Sequence, residues 1–220
     1  MWTEQEILMI LQGLWETVII VFVSTFFGYI LGLPLRVLLA VTDSEGIKPH
    51  PMLYKVLDVV TNVLRSVPFI ILLVVLIPLT RAIVGKSYGT AATIVPLVIA
   101  AAPFIARMVE SSIKEVDHGV IEAAQSMGAG TMTIVTKVLV AEARTSLLVG
   151  VTIAFGTILG YSAMAGAVGG GGLGSIAIRY GYNRWQPHIL WPSVIILVLL
   201  VQLFQILGMK ISKNLDRRRT

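Results

Sequence analysis

Charged residues divide the chain into long apolar runs. No Lys, Arg, Asp or Glu falls between Glu16 and Arg36, between Lys86 and Arg107, between Arg144 and Arg179, or between Arg184 and Lys210, and a shorter uncharged run separates Arg65 from Arg81. Crossing a bilayer takes about 20 apolar residues at 1.5 Å each. A charge at the centre of such a helix costs about 2.5 to 3.5 kcal/mol. Four of the runs are long enough or nearly so. The run before Arg81 reaches that length when it is extended back through Val59 to Leu64, with Arg65 near one end. The pattern predicts five spans, at about 14–41, 59–78, 91–108, 146–167 and 189–209.

The spans differ in character. The first carries Trp15, a residue suited to the interface, and Gly28 and Gly32 at the GxxxG spacing that lets helices approach closely, although lipid also tolerates such glycines. In the second, Pro68 breaks the helical ladder, Arg65 either snorkels to the interface or shapes the inner end of a pathway, and Pro78 is expected to close the span. The third holds Pro96, Pro103 and the small residues Ala100 to Ala102, with Arg107 and Glu110 spaced to pair on one face. The fourth is the least lipid-like: Gly150, Gly156, Gly160 and Gly166 recur along it beside Thr152, Thr157, Tyr161 and Ser162. It is expected to line a pathway, with Tyr161, Ser162 and Met164 near a constriction, Met164 being either a gate or ordinary packing. The glycines from Gly169 to Gly174 then read as a pliable outer hinge or loop, and the fifth span as scaffold starting at Trp191 and Pro192.

One polar stretch, 119–143, interrupts the apolar runs. Val120 to Met127 is two turns of good helix former, and Ala123 and Ala124 give it a small, flat face. Gly128 stops it, Thr131 is a candidate N-cap, and a second helix follows with Ile134, Val135, Val138 and Leu139 as an apolar stripe. Such a pair of short helices either lies on the membrane surface or docks into a groove on a partner.

Composition agrees with a polytopic membrane protein. Of 220 residues 56% are hydrophobic and 13% charged, and the mean hydropathy is +0.86, whereas soluble domains carry about 25% charged residues. Without cysteine there is no disulfide, thiol catalysis or thiolate-bound metal. His50, His118 and His188 stand singly. With five spans, Arg36, Lys48, Lys55, Arg65, Arg107, Lys114, Lys137, Arg144, Lys210, Lys213, Arg217, Arg218 and Arg219 fall on one side, and Arg81, Lys86, Arg179 and Arg184 on the other. The positive-inside rule makes the first side cytoplasmic. The N-terminus has no basic n-region and no cleavage site, so no removable signal is expected. The expected organisation is an extracytoplasmic N-terminus at 1–13, one transmembrane domain at 14–209 with its main cytoplasmic loop at 111–144, and a basic cytoplasmic tail at 210–220 that anchors on anionic lipid rather than nucleic acid.

Chemistry of its own is not visible. Gly85-Lys86-Ser87 lacks the earlier glycine of a phosphate-binding loop, since Thr80 stands there. Gly169, Gly171 and Gly174 follow a membrane span and not a strand. No nucleophile with a base, paired carboxylates or metal cluster lies in a span. No Asp, Glu or His occupies the middle of a span and no inverted repeat is visible, which argues against a carrier coupled to protons or sodium. An autonomous channel or secondary amino-acid transporter, or a structural membrane subunit, stand as alternatives to a subunit driven by another chain.

Glu122-Ala123-Ala124, Gly128 and Val138-Leu139 resemble the EAA signature of bacterial ABC importer permeases, in which Glu-Ala-Ala, three residues, Gly, nine residues and a hydrophobic pair follow in order; Val140-Ala141 stands where the family usually has Leu-Pro. WETVIIVFVSTFFGYILGLPL, RSVPFIILLVVLIPLTR, AAPFIARMVE and LGYSAMAGAVGGGGLG extend the likeness to nearly the whole chain, which is similar to permeases of methionine-type amino-acid ABC importers. The resemblance implies an all-α integral membrane protein, a type I importer permease of five transmembrane helices with coupling helices between the third and fourth. It implies a homodimer in the bacterial inner membrane, two cytoplasmic ATPase subunits that bind the ATP and magnesium, and an extracytoplasmic substrate-binding protein. Glu122, Ala123, Ala124 and Gly128 carry over as ATPase contacts, and the permease itself needs no cofactor.

Overall fold

The computed structural model describes residues 2–44 and 48–215. Of the expected basic tail, residues 216–220, including Arg217 to Arg219, lie outside the described residues. Helix α1 (Glu4–Thr42) runs for 39 residues, about 58 Å at 1.5 Å per residue. The helix thus begins well ahead of the span expected at 14–41. Thr3 accepts a hydrogen bond from the Glu6 amide at 3.3 Å and the Glu6 carboxylate accepts one from the Thr3 amide at 2.9 Å, a reciprocal cap that satisfies amides the helix leaves free. Polar residues beyond the lipid end a membrane span without ending a helix.

The expected second span is broken. Helix α2 (Pro51–Ser66) and helix α3 (Phe69–Val75) meet at 104°. Pro68 stands at the break, where its ring and missing N–H forbid continuation. Helix α4 (Ile77–Val84) follows, with Pro78 in its first turn, so Pro78 opens a helix instead of closing a span. Gly85 ends α4 at φ +79°.

Helix α5 (Thr90–Lys114) contains Pro96 and Pro103. Two short helices, α6 (His118–Ser126) and α7 (Thr131–Thr133), a π-helical turn at Ile134–Leu139 and helix α8 (Val140–Glu142) form a hairpin before helix α9 (Arg144–Ala165). Helix α10 (Gly172–Ile176), a second π-helical turn (Ala177–Tyr182) and helix α11 (Pro187–Leu215) complete the described chain. Pro192 lies inside α11 and not at its start. Among the described residues four helices, α1, α5, α9 with its short extension, and α11, are long and apolar enough to cross a membrane, and a fifth span is added when α2 and α3 count together.

The core lies where α1, α5 and α9 meet, around Ile20, Val21, Leu97, Ile105, Ala154 and Ile158. The GxxxG glycines make this packing possible. A Cβ on Gly28 would stand 2.8 Å from Ile105 Cδ1, and one on Gly32 would stand 2.6 Å from the Ala102 carbonyl oxygen. Helix α11 buries little and offers a long apolar surface suited to lipid.

The glycine run after α9, expected as a pliable outer hinge or loop, is a short loop leading into α10 and is tied to three helices. Gly171 and Leu173 donate their amides to Thr93 Oγ1 (3.4 Å) and Thr17 Oγ1 (2.8 Å), and Gly172 donates to Glu16 Oε2 at 2.8 Å. Gly89 donates to the Gly169 carbonyl at 2.9 Å. A Cβ on Gly174 would lie 2.5 Å from the Ala163 backbone. Glycine is needed here for close approach and, at Gly172, for φ +81°. The run stitches α1, α5 and α9 together.

Candidate functional site

Two places gather the residues singled out by sequence. The first is the α6–α8 hairpin. Asp117 caps α6 by accepting the Gly119 amide at 2.7 Å, so the helix starts before Val120. Gly128 closes it at φ +79°, and the Gly128 and Ala129 amides return to the Gln125 and Ala124 carbonyls at 2.9 and 3.0 Å. The expected cap at Thr131 is displaced: Gly130 caps the second helix and Thr131 is its first residue.

Ile134, Val135 and Leu139 face inward, with Val138 packed beside them, and form a small core with Val116, Ala124 and Ala143 against Val37 and Val41 of α1. The two alanines of the flat face divide between duties. Ala124 is buried in this core, while Glu122 and Ala123 face outward, as expected of successive residues about 100° apart on a helix. The Glu122 carboxylate lies 3.2 Å from His118 Nδ1. Met127 and Met132 stand 81% and 73% exposed on the same hairpin, with Val120 also exposed. Flexible apolar side chains presented together on a rigid support suit a partner's groove; sequence inspection passed over both methionines because each sits singly among polar residues.

An ion-pair node ties α5 to α1 just ahead of the hairpin. Glu110 pairs with Arg107, as its spacing predicts, and also with Lys114 at 2.9 Å and with Arg36 of α1 at 2.8 Å. The i, i+4 spacing makes Lys114 readable in the sequence, whereas Arg36 is 74 positions away on another helix.

The second place is the bend between α2 and α3. Phe69 stacks on Tyr161 of α9, with centroids 4.6 Å apart and planes 8° from parallel. Leu64, Arg65, Phe69, Phe104 and Tyr161 line a cavity of about 160 Å³ together with Val67, Leu72 and Ala100. Arg65 and Tyr161 are thus brought together, with Pro68 exposed at the start of α3. Ser162 is turned the other way; it is buried, and its hydroxyl donates to the Leu159 carbonyl at 2.8 Å. Met164 is exposed on a line with Ile153, Gly160 and Ala167, with Thr157 partly exposed between them, and among the described residues nothing beyond the helix's own backbone comes within 4 Å of a Cβ added at Gly160. This small-residue face has no partner among the described residues.

The comparisons place this architecture. The family described as binding-protein-dependent transport system inner membrane component matches residues 32–220. A probable D-methionine transport system permease protein MetI of Vibrio cholerae is 46% identical over 210 residues, 96% of this chain and 93% of that protein. The D-methionine transport system permease protein MetI of Escherichia coli K12 is 50% identical over 164 residues, 74% of this chain and 76% of that protein. A chain of the MetNI methionine ABC transporter, solved in inward-facing conformations, superposes with a TM-score of 0.96 at 47% identity over 98% of this chain and 100% of that one. An amino acid ABC transporter solved with histidines shares the fold alone, at a TM-score of 0.73 and 20% identity. Helices, hairpin signature and relatives agree, and the chain belongs to the family of binding-protein-dependent transport system inner membrane components.

Proposed function

We propose that this chain is the membrane-spanning permease of an ATP-driven methionine importer, working as a homodimer in a bacterial inner membrane. The observation that carries the reading is the hairpin: Glu122, Ala123, Met127 and Met132 face outward from a small core anchored on α1. In this reading a cytoplasmic ATPase docks there, one on each permease copy, and supplies the site for ATP and magnesium. Ala124 acts from within, by holding the exposed face in position, and Gly128 sets the turn between the hairpin's halves. The N-terminus lies outside and the C-terminus inside, because most Lys and Arg fall on the hairpin side. A binding protein delivers substrate on the opposite face. The names of the relatives support methionine, the D-isomer included, as the cargo.

Coupling needs each ATPase state to favour a different arrangement of the spans. Pushed by its partner, the hairpin moves with α1, against which its core packs, and the Glu110 node couples α1 to α5. The exposed line through Gly160 and Met164 on α9 then faces the second copy or the pathway. The test is reconstitution into liposomes with the ATPase and binding protein. Methionine uptake that requires ATP and both partners supports the reading; equal uptake by the chain alone without ATP overturns it.

A further inference from the structure

Resting on that importer reading, we infer that the cavity between Arg65 and Tyr161 is a substrate site within the permease, taking a free α-amino acid with a neutral, apolar or thioether side chain. Its size is adequate. The cavity measures about 160 Å³, and an engineered cavity of about 150 Å³ holds benzene, a ring close in volume to a thioether side chain. Apart from Arg65, its lining side chains are apolar or aromatic, chiefly the stacked Phe69 and Tyr161, Phe104 and Leu72. Aromatic rings favour a polarizable sulfur, and apolar side chains on the lining favour any uncharged side chain over a charged one.

The polar end of the site is equally specific. Arg65 lines the cavity, is exposed, and has no ion pair or hydrogen bond among the described residues. A guanidinium with its donors free can bind a carboxylate through two parallel hydrogen bonds. Pro68 has no N–H, so the Leu64 carbonyl one turn before it loses its helical donor. Leu64 also lines the cavity. The C-terminal end of α2 lies at the cavity, and its carbonyl oxygens and the negative end of the helix suit an α-ammonium group. Interrupted backbone within a membrane protein is tolerated where it lines a cavity, and here the 104° bend does so. No Asp or Glu lines the cavity, so a basic side chain would enter the aromatic walls without a counter-charge. An acidic one would have to enter the aromatic walls.

The test measures equilibrium binding of radiolabelled methionine to the purified permease–ATPase complex without binding protein, beside ATP-driven uptake in liposomes with it. Arg65→Gln removes the charge at an exposed position, and co-elution of the ATPase checks its assembly; Arg65→Lys keeps charge but not the paired donors. The site predicts binding to the wild-type complex that weakens at least about tenfold in Arg65→Gln and less in Arg65→Lys. It also predicts that methioninamide, which lacks the carboxylate, competes poorly in the wild type, and that this discrimination disappears in Arg65→Gln. Undetectable binding to the wild-type complex, or binding unchanged in Arg65→Gln, while ATP-driven uptake persists, overturns the site and leaves the importer reading intact. Absence of ATP-driven methionine uptake in the wild type overturns the importer reading and the site with it.

Discussion

Arg36 of α1 and Glu110 of α5 meet at 2.8 Å with side chains only 4% and 6% exposed. Their ion pair ties the first and third spans together at the base of the hairpin. Removing one partner from a buried pair leaves an uncompensated charge, a loss of about 3 to 5 kcal/mol. Glu110→Ala should therefore lower the thermal midpoint of the purified protein strongly. Lys114→Ala should have little effect, because Lys114 is 67% exposed and exposed pairs contribute about 0 to 1 kcal/mol. Arg36→Met combined with Glu110→Leu should recover much of the loss. Equal shifts for Glu110→Ala and Lys114→Ala would show that the buried pair does not hold the helices.

The glycine stitch gives a second contrast. Gly172 has φ +81°, and an added Cβ would stand 2.6 Å from Thr17 Oγ1. Gly172→Ala combines left-handed strain, about 1 to 3 kcal/mol, with that collision. Gly85 has φ +79° but open space around it, so Gly85→Ala carries only the conformational cost, about 1 to 2 kcal/mol. The yield of folded, monodisperse protein should drop sharply for Gly172→Ala and modestly for Gly85→Ala. The reverse order would return the run to a flexible loop.

The hairpin core separates support from contact. Leu139→Ala should destabilise the hairpin by about 2 to 5 kcal/mol, as for other buried leucines, because Leu139 is 5% exposed among Ile134, Val135 and Ala124. Met127→Ser removes an exposed side chain and should leave the thermal midpoint within about 0.5 kcal/mol of wild type, while weakening ATPase association. If Met127→Ser leaves association unchanged, the exposed methionines lie outside the docking surface.

Much of this was legible in the sequence because lipid punishes charge so heavily. The long helices follow from the uncharged runs, and Arg107 with Glu110 from a three-residue spacing. What escaped depends on contacts distant in sequence or on physics outside the lipid. Thr3 and Glu6 spell a capping box that carries α1 beyond the membrane. Pro68 announces a break, but the 104° angle is set by what α3 packs against. Gly169 to Gly174 reads as pliant by composition, yet its partners Glu16 and Thr17 lie 156 residues away. The opposite orientations of Ala123 and Ala124 were implicit in helical geometry, whereas the core that claims Ala124 includes Val37 and Val41 of α1. The cavity at Arg65 needs α2, α3, α5 and α9 together, and no local pattern encodes that meeting.

The central claim is that the outward face of α6 docks an ATPase. It is tested most directly by purifying the tagged chain from its native membrane in mild detergent and measuring the co-eluting ATPase per copy, for wild type and for Ala123→Asp. Ala123 is exposed and outside the hairpin core, so the charge should not unfold the spans. The expected result is one ATPase per wild-type copy, most of it lost in Ala123→Asp while the thermal midpoint is unchanged. A wild-type chain that elutes without an ATPase, or an Ala123→Asp variant that retains it in full and imports at the wild-type rate, would contradict the docking assignment.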